Sequence, residues 1–358
     1  MTSDYASSLS FKRGPDWKNR FALAPLTNCQ SHADGTISDD EHNWLVKRAD
    51  GGFAMVMTCA AHVQAVGQGF PGQLGIWSDD HLPGLTHLAD TLRAKGAVSS
   101  VQLHHAGHRA EKTVISEPVG PSADADTGSR ALTTAEVERL RDDFVAAAKR
   151  AEIAGFDGVE VHGEHGYILA QFLSPEINQR DDQYGGSLEN RARLIREIID
   201  GIRATCRPDF QVGLRLSPER FGMVLSEIMT LVGEVMAEGK IDYMDLSLWD
   251  TWKDPNEPVI QGKSLLAHFT DIPRHGVRLG AAGKIKSAAE ARAALDQGCD
   301  FVMLGRAGIL RHDAPNRILA DAGYTSPELP VTADHLRAEG LGEAFVKYMS
   351  GWKGFVAN

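Results

Sequence analysis

Short, nearly continuous apolar runs alternate with longer amphipathic segments along most of the chain. Such runs are typical of parallel strands that are covered on both faces, and the segments between them have helical spacing. The predicted strands are Phe21–Leu26, Gly52–Ala61, Ala97–His105, Gly158–His162, Phe210–Leu216, Tyr243–Trp249, Gly276–Ala282 and Asp300–Gly305. This alternation predicts a closed (β/α)8 TIM barrel. An open doubly wound sheet is the alternative, but no GxGxxG motif follows the first strand.

Capping motifs mark the starts of several predicted helices. Thr133 with Glu136, and Ser287 with Glu290, have the spacing of a capping box. In that motif a hydroxyl and a carboxylate satisfy free backbone N–H groups at the first turn. Ser187 is predicted to cap a further helix, and the chain after the last strand is predicted to form closing helices.

The composition is that of an ordinary globular protein. The chain has 358 residues, 42% of them hydrophobic, and residues 1–358 are predicted to form a single barrel domain. A formal net charge of −11 argues against a nucleic-acid partner, because a phosphate backbone requires a basic surface. No signal peptide and no apolar run of ~20 residues is recognisable, so we expect a cytoplasmic protein without a membrane partner.

The four cysteines, Cys29, Cys59, Cys206 and Cys299, are widely scattered. Neither a CxxC motif nor a mixed cysteine and histidine cluster is present. The sequence therefore predicts no zinc site and no iron–sulfur cluster, and the pattern fits a reducing compartment.

The segment Val159–Arg191 carries the strongest chemical signal. It opens as a strand and then places His162, His165 and Tyr167 within six residues. Two imidazole N–H groups can stabilise negative charge that develops on an enolate oxygen, and a phenol can supply a proton. Zinc binding by the two histidines is the alternative, but zinc requires a third ligand. We expect Glu164 to point elsewhere, because the segment is predicted to be extended.

Two polar side chains are predicted on strands near the barrel mouth. Arg215 lies inside the fifth strand, where a buried guanidinium requires an acceptor. The acceptor is either Glu160 in a structural ion pair or an electron-rich heterocycle. Gln102 lies near the end of the third strand, and its amide is either satisfied inside the protein or bonded to a ring carbonyl and a ring N–H.

Glycine-rich turns follow the last two predicted strands, at Gly283-Lys284 and at Gly305-Arg306. In a TIM barrel the corresponding loops frequently bind phosphate. Glycine allows backbone N–H groups to approach the anion, and the two basic side chains add charge. The alternative is that these glycines only permit tight turns.

Several motifs taken together resemble the old yellow enzyme family of FMN-dependent ene reductases, in particular its single-domain bacterial type. These motifs are Ala24-Pro25-Leu26-Thr27, LGIWSD at 74–79, VQLHHAG at 101–107, YGGS at 184–187 and Gly305-Arg306. The resemblance implies a barrel that binds FMN and uses NAD(P)H as the reductant.

The resemblance also implies a role for individual residues. FMN would be bound by Ala24, Pro25, Leu26, Thr27, Ala60, Gln102, Arg215, Gly283, Gly305 and Arg306. The substrate would lie against His162, His165, Tyr167 and Cys29. The two histidines would hold its carbonyl oxygen while flavin N5 delivers a hydride to the β-carbon, and Tyr167 would protonate the α-carbon. Bacterial relatives often have Cys and Tyr where this chain has Thr27 and Cys29.

The predicted function is therefore the NAD(P)H-dependent reduction of the C=C bond of an α,β-unsaturated carbonyl compound. The enzyme is expected to be a homo-oligomer, dimer or tetramer, whose other partner is a small-molecule substrate. One alternative is an FMN-dependent amine dehydrogenase or demethylase of the same fold. Others are a metal-dependent barrel hydrolase using His162 and His165, and a flavin-binding barrel without turnover.

Overall fold

Eight parallel strands close into a barrel in the computed structural model, which describes residues 4–257 and 262–357. Each strand pairs with the strands that precede and follow it, and the last pairs with the first. The barrel strands, here called first to eighth, are Phe21–Leu23, Met55–His62, Val98–His104, Gly158–Gly163, Gln211–Leu216, Tyr243–Ser247, Arg278–Ala282 and Phe301–Leu304. The predicted TIM barrel is confirmed, and the open doubly wound sheet is excluded.

Helices connect the strands and follow the last of them. Their bounds are Asp39–Asp50, Leu82–Ala94, Thr134–Ile153, Ile168–Leu173, Leu188–Thr205, Leu225–Glu238, Leu265–Thr270, Ala288–Asp296, Arg306–Leu310, Ala314–Ala320, Ala333–Ala338 and Glu343–Ser350. Short 3₁₀ turns occupy Ala65–Gly67, Asp79–His81 and Gly107–Arg109, and a small pair of strands joins Val119–Gly120 to Arg130–Ala131. Within residues 4–257 and 262–357, no helix has the length and apolar character that a bilayer crossing requires.

One of the two predicted capping boxes is complete. Glu136 N donates to Thr133 Oγ1 at 3.2 Å, and Thr133 N donates to Glu136 Oε2 at 2.8 Å. At the other, Glu290 N donates to Ser287 Oγ at 3.2 Å. There the Glu290 carboxylate accepts from the N–H of Lys286 at 2.8 Å, because it reaches one residue farther back than the box requires. The start of the helix Ala288–Asp296 therefore has one of the two hydrogen bonds of a capping box.

Aromatic side chains fill the amino-terminal end of the barrel. Trp17 is completely buried, 4.9 Å from the ring of Phe301 and 5.7 Å from that of Tyr243, which begin the eighth and sixth strands. Gly213 and Gly280 make room for them, since an added Cβ at either position would lie 2.1 Å from the facing aromatic ring. Space for a ligand is therefore left at the opposite, carboxyl end of the strands.

Candidate active site

The carboxyl end of the fourth strand brings His162, His165 and Tyr167 together. The ring centroids lie 5.6 Å apart for the two histidines, and 5.3 Å and 6.3 Å from the phenol. His162 is in the strand, His165 is in the turn that follows, and Tyr167 precedes the helix Ile168–Leu173. His165 has φ of 59°, a left-handed conformation that is uncommon for a residue with a Cβ and that is often found at functional sites.

Glu164 does not point away from the histidines, so that expectation from the sequence is wrong. Its side chain is completely buried, and Oε1 lies 3.0 Å from His165 Nδ1 and 3.7 Å from His162 Nε2. The segment was expected to be extended, but the chain turns at His165, and the Glu164 side chain therefore lies on the same side as the histidines. Ser217 Oγ also donates to the Glu164 carboxylate, at 3.2 Å.

The turn also brings Glu164 to the two histidines, as the third ligand that the zinc-binding alternative requires. His162, Glu164 and His165 each offer a ligand atom, and these atoms lie within 4.8 Å of one another. However, Nε of Arg215 is 2.7 Å from the same Glu164 oxygen that faces the histidines. A buried guanidinium at this distance already compensates the carboxylate and would repel a divalent cation. The arrangement therefore favours binding of a carbonyl oxygen over a metal.

Arg215 lies in the fifth strand between two carboxylates. Its Nε is 2.7 Å from Glu164 and 3.1 Å from Asp245, and all three side chains are buried. Glu160, the partner that the sequence suggested, instead accepts a hydrogen bond from Gln102 Nε2 at 2.9 Å. Burial alone would lower the pKa of the Arg215 guanidinium, but the carboxylates of Asp245 and Glu164 raise this pKa above its usual value. Arg215 is therefore a permanent cation at the mouth.

The three acids around Arg215 differ in their ionisation. Burial and the neighbouring Asp245 raise the pKa of Glu160 well above its usual range, which favours the neutral carboxyl. Burial also raises the pKa of Asp245 to about 6, against the opposing effect of Arg215. Burial by itself would also raise the pKa of Glu164, but the positive charge of Arg215 and the nearby His165 outweigh burial and lower this pKa. At neutral pH, two ionised carboxylates therefore share one guanidinium.

The residues predicted to hold the flavin ring lie on neighbouring strands around the mouth. Ala60 and Gln102 are paired across the second and third strands. Ala24 N donates to the carbonyl of Leu304 at 3.2 Å, which places the first strand beside the eighth. A Cβ added to Gly305 would lie 3.6 Å from Leu26, so small residues border this part of the mouth.

The chemistry of Arg215 fits a bound flavin. Among the residues that the structure describes, its Nη1 has no hydrogen-bond partner although it is buried. A buried donor of this kind is costly unless a ligand satisfies it. Arg215 and Gln102 would hold the pyrimidine side of FMN, which offers carbonyl oxygens and ring nitrogens. Ala24, Pro25, Ala60 and Thr27 would border the ring.

The two loops predicted to bind phosphate differ in whether their basic side chain is already paired with a carboxylate. The Gly283 carbonyl accepts from Thr251 Oγ1 at 2.7 Å, which ties the loop after the seventh strand to the loop after the sixth. Lys284, expected to add charge, is paired with Asp250 at 2.7 Å. Arg306 is exposed and has no carboxylate partner within the described ranges. Of the two basic side chains, Arg306 is therefore the one available to a phosphate.

Burial sets the protonation states that the site requires. It lowers the pKa of His162 and of His165, in each case against the opposing carboxylate of Glu164, so both imidazoles are neutral at neutral pH. A neutral imidazole still carries one N–H donor. Burial raises the pKa of Tyr167, although the nearby Arg109 opposes this, and the phenol therefore keeps its proton.

A small cleft of about 20 Å³ adjoins His165. Its lining includes Ser217, Phe221, Ser247 and Trp249. Arg109 lies beside it, with its guanidinium 5.0 Å from the centroid of the Tyr167 ring, and it donates to the carbonyl of His165. The cleft and the partly exposed side chain of His165 therefore mark the side from which solvent reaches the histidine pair.

Four residues of this region were not predicted from the sequence: Glu164 as a charge partner, His104, Asp245 and Tyr348. The helix Glu343–Ser350 brings Tyr348 close to Thr27 and Cys29. Burial raises the pKa of Cys29 to about 11, so its thiol is protonated. No local motif marks Tyr348, because it reaches the mouth from a distant part of the chain.

Known proteins resemble this chain over most of its length. Residues 10–321 match the model of the family described as NADH:flavin oxidoreductase / NADH oxidase. The chain is 38% identical over 309 residues to the probable NADH-dependent flavin oxidoreductase YqiG of Bacillus subtilis (strain 168), covering 83% of this chain and 82% of that protein. It is 33% identical over 351 residues to the NADH:fumarate oxidoreductase of Klebsiella pneumoniae (strain 342), covering 92% of this chain but 36% of that longer protein. Morphinone reductase in complex with tetrahydroNAD superposes with a TM-score of 0.78 at 27% identity, covering 97% of each chain.

Proposed function

Because the chain belongs to the NADH:flavin oxidoreductase / NADH oxidase family, we propose that it reduces the C=C bond of an α,β-unsaturated carbonyl compound. Family membership confirms the resemblance to old yellow enzyme and makes the protein an oxidoreductase that uses FMN, with NADH or NADPH as reductant. Enzymes of this family act on small-molecule substrates. When bound, FMN supplies the hydride chemistry that links NAD(P)H to the substrate.

The observation that carries the proposal is the convergence of two neutral imidazoles and a protonated phenol at the carboxyl end of the fourth strand. His162 and His165 each have one N–H to donate to the carbonyl oxygen of the substrate. These bonds withdraw electron density from the conjugated double bond and stabilise the negative charge that develops on the oxygen. The β-carbon becomes electrophilic as a result.

Tyr167 completes the reduction in this proposal. The centroid of the phenol ring lies 5.3 Å from that of His162. Its raised pKa keeps the proton in place until negative charge appears at the α-carbon. Tyr167 then donates the proton to that carbon. General acid catalysis of this kind contributes ~10²–10⁴-fold to a rate.

The Klebsiella relative supports the proposed substrate class. By its name it acts on fumarate, in which the C=C bond is conjugated to carboxyl groups. Enones and unsaturated carboxylates share the feature that the two histidines would recognise, a carbonyl oxygen conjugated to the double bond. The proposal therefore covers both kinds of compound.

Separate measurement of the two half-reactions tests the proposal. With Tyr167→Phe, we expect reduction of the bound FMN by NADH or NADPH at the wild-type rate. Reoxidation of the reduced enzyme by cyclohex-2-enone is expected to slow ~10²–10⁴-fold. Tyr324→Phe, which changes a tyrosine outside the mouth, should leave both rates unchanged.

Three results would contradict the proposal. Equal slowing of both half-reactions in Tyr167→Phe would remove the role of the phenol. Reduction of the flavin by an N-methylated amine, without reoxidation by enones, would favour the amine dehydrogenase alternative. Purified protein with stoichiometric zinc and no flavin would favour the hydrolase.

A further inference from the structure

His104 ends the third strand directly behind the histidine pair. It is completely buried, and its Nδ1 lies 2.9 Å from Nδ1 of His162. Its ring meets the ring of Tyr167 edge-on at a centroid distance of 4.4 Å. We propose that His104 is a positioning residue that donates to His162 and thereby fixes the proton of His162 on Nε2. The inference rests on the proposed function, in which His162 donates a hydrogen bond to the substrate carbonyl.

The contact between the two Nδ1 atoms allows only two arrangements. Both imidazoles are neutral, because burial lowers the pKa of His104 well below its usual range and also lowers that of His162. Each ring therefore carries one N–H, and one Nδ1 must donate to the other. Either His104 donates and His162 has its proton on Nε2, or the reverse holds.

The surroundings of His162 Nε2 favour the first arrangement. Nε2 lies 3.7 Å from the ionised carboxylate of Glu164 and 3.4 Å from His165 Nδ1. A bare nitrogen would direct its lone pair at this negative charge, whereas an N–H is attracted to it. Nε2 of His162 is therefore protonated, and its Nδ1 must accept from His104.

The far side of His104 leads to the same assignment. Its Nε2 is buried and has no hydrogen-bond partner among residues 4–257 and 262–357. If His104 accepted the bond, its own proton would be on this nitrogen and would form a buried N–H without an acceptor. Unpaired buried N–H groups are rarer in proteins than under-satisfied acceptors. The nitrogen is therefore bare, and the proton of His104 is on Nδ1.

His104 then donates to His162, and His162 has its N–H on Nε2, on the side of His165. The ionised Glu164 carboxylate lies 3.0 Å from His165 Nδ1, so the proton of that ring is on Nδ1. His162 Nε2 and His165 Nδ1, 3.4 Å apart, therefore each carry an N–H beside Glu164. Reversing the bond at His104 would leave His162 with a lone pair where the substrate oxygen is to be bound, and binding would become repulsive.

Long-range ¹H–¹⁵N correlation spectra of the ¹⁵N-histidine-labelled holoenzyme test the assignment without substrate. We expect His162 to show a protonated Nε2 and a bare Nδ1, and His104 to show the opposite. A protonated Nδ1 on His162 would overturn the inference. This readout does not depend on enone turnover, so failure of the proposed function and failure of the inference are separate results.

Two variants of His104 test the consequence for cyclohex-2-enone. His104→Asn keeps an N–H donor near the position of Nδ1, whereas His104→Leu has none. We expect kcat/KM for the enone to fall about tenfold or more in the Leu variant, the factor for one hydrogen bond of ordinary strength, and to be largely retained in the Asn variant. Flavin reduction by NADH should be unchanged in both. Equal losses in the two variants, with the His162 spectrum unchanged, would show that His104 acts only through packing.

Discussion

Nε of Arg215 lies 2.7 Å from Oε1 of Glu164, and the same oxygen lies 3.0 Å from Nδ1 of His165. One buried carboxylate thus connects the cation predicted to face the flavin with an imidazole predicted to hold the substrate. The cofactor side and the substrate side of the mouth are therefore electrostatically coupled through Glu164.

Glu164→Gln should destabilise the protein strongly. The change removes a buried negative charge and leaves Arg215 with only Asp245 as a close ionised partner. Breaking a buried ion pair on one side typically costs ~3–5 kcal/mol in the free energy of unfolding. Urea denaturation of the purified protein measures this cost. Glu343→Gln, which breaks an exposed pair with Arg337, is the control and should barely change the urea midpoint. Equal effects in the two variants would contradict the argument from a buried ion pair.

Stability should depend on pH through Asp245. Its pKa is raised from 3.8 to about 6 by burial, so folding favours the protonated carboxyl. The stability contributed by this proton is fully present below the unfolded pKa and is lost as pH rises through about 6. Asp245→Asn stays neutral at every pH.

The free energy of unfolding of Asp245→Asn, minus that of the wild type, should therefore increase from about pH 4 to about pH 6 and then level off. Urea denaturation at half-unit steps of pH gives this difference. Parallel curves for the two proteins across the range would mean that Asp245 titrates as it does in the unfolded chain.

Arg306→Gln should weaken the binding of FMN without weakening that of riboflavin. The guanidinium is exposed and unpaired within the described part of the chain, beside the glycine turn predicted to hold the phosphate. A hydrogen bond to a charged group contributes roughly 1.5–3 kcal/mol, and the exposed position favours the lower end, about a tenfold change in Kd. Fluorescence titration of the apoprotein with each flavin measures the effect. Arg337→Gln, which changes an arginine already paired with Glu343, is the control. A loss of riboflavin binding equal to that of FMN would exclude a phosphate contact.

Two glycines inside helices should respond oppositely to alanine. An added Cβ at Gly233 would be 3.6 Å from Ile272, an ordinary contact, so Gly233→Ala should stabilise the protein by about 0.5–1 kcal/mol through helix propensity. At Gly201 the Cβ would be 2.5 Å from Val145, which lies on the adjacent helix Thr134–Ile153. Gly201→Ala should therefore destabilise by about 1–3 kcal/mol through overpacking. Thermal unfolding of both variants gives the signs, and a shift in the same direction for both would contradict the packing at these positions.

The sequence was sufficient for the elements of the fold and for the residues that lie together along the chain. Apolar runs located all eight barrel strands, because a strand buried on both faces needs such a run wherever it occurs. The predicted strand boundaries are less accurate. The first strand ends at Leu23 and not at Leu26, because Pro25 has no N–H to donate to a neighbouring strand. His162, His165 and Tyr167 could be identified together because a single turn holds them.

Tertiary structure alone decided which distant side chains meet at the mouth. Strand pairing aligns His162 with Arg215, and Arg215 with Asp245, while Gln102 is aligned with Glu160. This register follows from closing eight strands into one barrel, and apolar periodicity along a single strand carries no information about it. The partners of Arg215 and the donor behind His162 are therefore set by long-range pairing, which local sequence patterns cannot specify.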